Sequence, residues 1–129
     1  MAMKEQDLFD FLKADLYPDL IKSPGIYDAF DCISEQAGHY IELKCRHTHY
    51  PTLLIEEMKY RKLITQAAER DLVPFYINST PIGVFSFDLM DIAEPEWFSH
   101  WMPATTEFSR SNKVSKLVGY LPVEEGVKL

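Results

Sequence analysis

Apolar residues recur at helical spacing near the start of the chain. Leu8, Phe9, Leu12 and Leu16 form one stripe and predict a helix over 3–17. Pro18 and then Ser-Pro-Gly at 23–25 end it. The pattern changes to strand-like runs at 26–34 (IYDAFDCIS) and 39–46 (HYIELKCR), and the intervening EQAG predicts a β-hairpin. Helical spacing returns over 52–71, with Thr52 suited to the N-cap. Segments 73–79 and 82–89 read as two strands joined by a turn around Thr80 and Pro81. Further on, 95–102 predicts a short helix opened by Pro95, with Trp97 and Trp101 one turn apart, and 113–121 predicts a last strand.

The order helix, hairpin, helix, strand, strand predicts one α/β domain, a mixed β-sheet flanked by helices. The second helix makes a right-handed crossover between strands. A length of 129 residues suits one domain, and 47% hydrophobic content is enough for a packed core. No run of eighteen apolar residues and no charged-then-apolar leader occurs, so no membrane partner is expected. Two cysteines are too few for a disulfide scaffold, which makes a cytoplasmic setting the expectation. The net charge of −7 argues mildly against nucleic acid, yet Lys44, Arg46, Lys59, Arg61 and Lys62 cluster mid-chain. Composition therefore leaves the partner open.

Register decides what the hairpin presents. With the turn centred on Ala37–Gly38, Asp31 faces Lys44 and Ile33 faces Glu42. One side then carries Ile26, Phe30, Cys32, Ile41, Leu43 and Cys45, and the other Asp31, Glu42, Lys44 and Arg46. A three-residue loop would exchange the roles of Asp28 and Asp31. Asp31 and Glu42 are hard oxygen ligands suited to Mg²⁺ (or Mn²⁺), and the Leu43 carbonyl lies between the charged residues. Lys44 is placed to stabilise charge on a phosphoryl group or to orient the attacking water. The plainer reading of the same face is a solvated Asp31–Lys44 ion pair of little energetic weight.

Asp31 followed by Glu42-Leu43-Lys44, after one helix and before a helix-and-strand unit, resembles the PD-(D/E)xK nuclease superfamily. The likeness runs from about Ile26 to Leu89 and is closest to small Holliday-junction-resolvase-like and phage-type members. The resemblance implies a restriction-endonuclease-like core and a Mg²⁺-dependent phosphodiesterase acting on DNA, with Asp31 and Glu42 on the metal and Lys44 catalytic. It also implies an acid from the first helix, a role Glu5 suits, and a polar residue from the second helix, a role Lys59 suits by position. On a helical projection, however, Lys59 falls on the polar side with Lys62 and Gln66. The family core commonly has one more strand before the hairpin, for which the sequence offers no clear candidate.

The remaining candidates divide between two readings each. His47 and His49 point the same way on an extended chain, as metal ligands or as a loop end near DNA. Trp97, Phe98 and Trp101 suit base stacking, or a core or oligomer contact. Arg46, Arg110, Lys113 and Lys116 suit backbone phosphates, or a solvated surface. So small a chain would grip a duplex best as a homodimer. The alternative from a different class is a catalytically inactive nuclease-fold protein that binds nucleic acid or protein.

Overall fold

The computed structural model describes residues 3–23, 31–103 and 113–129, so Ile26, Asp28, Phe30 and Arg110 lie outside the described residues. The fold is mixed α/β. Helix α1 (Glu5–Asp15) forms close to the expected span. Leu8 and Leu12 are fully buried, but Leu16 is 47% exposed because it falls at the helix C-cap, where the stripe no longer faces the core.

A six-stranded sheet has the order β1 (Ile21–Lys22), β2 (Asp31–Ser34), β3 (His39–Cys45), β5 (Val73–Thr80), β6 (Gly83–Asp88), β9 (Val127–Lys128). β3 and β5 are parallel and the other neighbours antiparallel. β1, which the sequence did not signal, supplies a strand before the hairpin. A second sheet has the order β4 (Thr52–Glu56), β8 (Lys113–Pro122), β7 (Phe98–Pro103).

Two elements differ in type from expectation. Residues 52–56 form β4, and helix α2 runs only over Glu57–Glu69. Thr52 is therefore the start of a strand rather than an N-cap. Leu53 and Ile55 are buried and pair with Leu121 and Gly119 of β8, so the period-2 burial of this short apolar run outweighs its helical spacing. Residues 98–103 form β7, not a helix, because Phe98 through Pro103 pair antiparallel with β8 from Val118 back to Lys113. Pro95 and Trp97 instead lie over Gly119, where an added Cβ would come within 2.8 Å of the proline ring.

Side chains alternate across β3 between two cores. Ile41 and Leu43 pack with Cys32, Ile77 and α1 residues Leu8 and Leu12. Tyr40 packs on the opposite face with Tyr76, Phe85, α2 residues Tyr60, Leu63 and Ala67, and Leu53, Ile55 and Leu121 of the second sheet. Glu42 and Lys44 belong to this second face, beneath α2.

Candidate functional site

The hairpin turns through residues 35–38, with Ser34 opposite His39 as the last pair. Gly38 takes φ +74°, and its N–H donates to the Ser34 carbonyl at 2.9 Å. Glycine enters this left-handed conformation without the Cβ penalty. The four-residue loop corrects the expected register by two residues: Asp31 pairs with Glu42 rather than Lys44, and Ile33 with Tyr40 rather than Glu42. A shift of two leaves every side chain on its face, so Asp31, Glu42 and Lys44 still share one side.

Burial gives the group its chemistry. Asp31 is only 8% exposed, and Tyr40, fully buried, donates its phenol proton to Asp31 Oδ2 at 3.0 Å. The same hydroxyl meets the Gln66 side-chain amide from α2. A phenol has one proton to give, so satisfying both partners requires Gln66 to present its NH₂. Burial pushes the Tyr40 hydroxyl up to about 12, which keeps it a donor throughout the ordinary pH range.

Glu42 is a strongly perturbed carboxyl. Burial raises it from 4.5 to about 7, opposed first by the Lys59 charge and reinforced by Asp31 across the strand pair. Lys59 Nζ lies 3.7 Å from Glu42 Oε1, while Oε2 is buried with no hydrogen-bond partner. Lys44 is held below the usual lysine range, chiefly by burial and next by the like charges of Arg46 and Lys59. A buried carboxylate oxygen without a donor costs free energy unless it takes a proton, a water or a cation.

Asp31 and the open Glu42 oxygen fit a hard cation such as Mg²⁺, which needs only one or two carboxylates and keeps waters. No third His, Cys, Asp or Glu side chain joins them among the described residues. Glu5 is half-buried on α1, which packs on the opposite sheet face; its charge reaches Lys44 only as a minor influence. The Leu43 side chain lies in the α1 core, leaving only its backbone near the carboxylates.

Other sequence candidates separate. Arg46 is a junction: Nε donates to Asn78 Oδ1 at 3.1 Å, and Nη2 donates to Tyr76 Oη at 2.9 Å and to the Leu54 carbonyl. His49 pairs with Thr80 at 3.0 Å and lies against Phe85, whereas His47 is exposed, so the two histidines do not converge. Lys116 is paired with Glu56 at 3.1 Å, and Lys113 is exposed at the start of β8. Trp97 packs edge-on to Tyr60 and donates to Glu94, while Phe98 and Trp101 are 52% and 69% exposed. Cys32 is buried and Cys45 half-buried, both as free thiols.

Sequence reasoning missed Tyr40, Asn78 and the part played by Gln66. The available signal was the stripe Lys59, Lys62, Gln66 on α2, which runs beside the buried Tyr60, Leu63 and Ala67. That flank borders the carboxylates while Lys59 and Lys62 stay exposed to solvent: Lys59 reaches Glu42, Gln66 reaches Tyr40, and the Lys62 charge is felt at Glu42. Asn78, fully buried and level with Lys44 on β5, retains an unpartnered Nδ2. Comparison with protein-family models, with curated proteins and with solved structures found no match in any of the three. No helix among the described residues is long and apolar enough to cross a membrane.

Proposed function

We propose that this protein is a small metal-dependent nuclease with a restriction-endonuclease-like core, hydrolysing phosphodiester bonds of DNA. The carrying observation is the Asp31–Glu42 cross-strand pair, one oxygen of which is buried and open, with Lys44 two residues along the same face. Like charges placed directly opposite each other destabilise a sheet, and a shared cation or proton removes the repulsion. Asp31 and Glu42 would hold Mg²⁺ or Mn²⁺, which supplies polarisation of a phosphate oxygen and a more acidic bound water. Tyr40 donates to one Asp31 oxygen and so holds that carboxyl in place opposite Glu42. Lys44, partly desolvated, stabilises charge at the phosphoryl oxygens, and Lys59 acts as a second cation beside Glu42.

The test is cleavage of linear, single-stranded and branched DNA with Mg²⁺ or Mn²⁺, beside Lys44→Ala and Glu42→Ala. Metal-dependent cutting lost in both variants is the expected result. Equal background cutting in all three proteins overturns it.

A second reading is a nuclease-fold protein without catalysis, binding nucleic acid or protein. It is favoured by the Lys59–Glu42 ion pair, which already compensates part of the carboxylate charge, and by the lack of a third side-chain ligand among the described residues.

A further inference from the structure

Beyond the carboxylate pair, a pocket of about 590 Å³ opens past the C-terminal end of β3, within the size range of small-ligand sites. Its position follows a general rule of α/β sheets, where ligands gather outside the carboxyl ends of parallel strands. Here β3 and β5 are the parallel pair. Arg46 and Leu54 line the pocket, Tyr50 and Tyr120 bring aromatic rings, and Thr48 and Thr52 bring hydroxyls. Tyr50 is 60% and Tyr120 40% exposed, so both rings have faces uncommitted to the core.

Arg46 makes this a built site. Its Nε and Nη2 are bound to Asn78, Tyr76 and the Leu54 carbonyl, which fixes the guanidinium plane between β3, β4 and β5. Its Nη1 makes no hydrogen bond among the described residues, and it is not among the buried unsatisfied atoms. A rigid cation with a donor to spare, beside two tyrosine faces and two hydroxyls, matches the parts of one nucleotide: phosphate, base and sugar. Arg46 follows Lys44 by two residues, just past the end of β3, so the pocket continues the line of the carboxylate site.

We propose that this pocket holds one unpaired nucleotide of a DNA strand, its base against Tyr50 and Tyr120 and its phosphate on Arg46 Nη1. The proposal deepens the nuclease reading and rests on it for the ligand's identity. It selects single-stranded or branched DNA over continuous duplex, because a base within a duplex is stacked on both faces and cannot enter a pocket.

The experiment measures binding of a fluorescein-labelled oligothymidylate and of a duplex of equal length, in EDTA so that no cutting intervenes. The proteins are the wild type, Tyr50→Ala, Tyr120→Ala and, for comparison, Trp101→Ala. Both tyrosines are exposed, and a thermal melt checks that each variant stays folded. Base–aromatic stacking of about 1–3 kcal/mol corresponds to a loss of at least about fivefold in single-strand affinity for each tyrosine variant, with Trp101→Ala unchanged. Equal affinity in wild type and both tyrosine variants overturns the pocket, as does a loss seen only in Trp101→Ala. A parallel cleavage assay separates the two ideas. Selective loss of single-strand binding in the tyrosine variants, beside a wild type that never cuts DNA, defeats the nuclease reading and supports the pocket. Cutting by a wild type whose tyrosine variants bind normally does the reverse.

Discussion

Asp31 stands directly opposite Glu42 across the antiparallel pair β2–β3, and both are largely withdrawn from water. Two carboxyls so placed cannot both ionise without cost, and the cost falls on Glu42, which lacks a donor at Oε2.

Glu42 binds its proton more tightly in the folded protein, near 7, than its ordinary 4.5 in the unfolded chain. Its contribution to stability is therefore full below about 4.5 and is lost as pH rises through 7. Glu42→Gln should raise the denaturation midpoint at pH 8 relative to wild type and change it little at pH 4.5. Denaturant melts at the two pH values check this, and an equal shift at both would show that the carboxyl's ionisation is not the cause.

Added Mg²⁺ should raise the wild-type melting temperature, more at pH 6 upward than at pH 4.5, since protonation of Glu42 competes with the cation. Glu42→Gln and Asp31→Asn should each remove most of the Mg²⁺ response. A response that persists in both variants would place the cation elsewhere.

Tyr40→Phe removes the phenol that donates to Asp31 and meets Gln66, while keeping the ring packing. Leaving the buried Asp31 oxygen short of a donor should cost about 1–3 kcal/mol in equilibrium unfolding. With the nuclease activity proposed above, the variant should also lower kcat at saturating Mg²⁺, rescued by no change of pH below the range of the phenol.

Gly119→Ala should destabilise the fold by about 1–3 kcal/mol, because the new methyl meets Pro95 at 2.8 Å and Trp97 at 3.0 Å. Gly38→Ala tests a different point: no atom lies within 4 Å, so any loss there reports the cost of φ +74° alone. Thermal melts of the two variants separate crowding from backbone strain.

The charged face of the hairpin was legible from sequence because side-chain parity survives a slip of two, so a wrong turn length still placed Asp31, Glu42 and Lys44 together. Strands β5 and β6 were legible for another reason: each is a compact apolar run bounded by turn residues. The stretch TLLIE was not, since five residues fit both a helical turn and a strand, and only the pairing with β8, some sixty residues away, decides between them. PEWFSHWM failed likewise, its tryptophan spacing mimicking one helical turn while its partner strand lay downstream. The stripe on α2 was visible as a pattern, but its direction was not, because a polar flank looks the same whether it meets water or a carboxylate.

Arg46 sits one alternation along from Lys44, and its positive charge is among the influences that hold that lysine below its usual range. Neutralising Arg46 with an anion would relax that influence and let Lys44 keep its proton more firmly. The two residues would then work as a short electrical relay: a phosphate placed on Arg46 would re-tune Lys44 with no movement of the backbone needed. A substrate spanning both would help to charge the group that meets it.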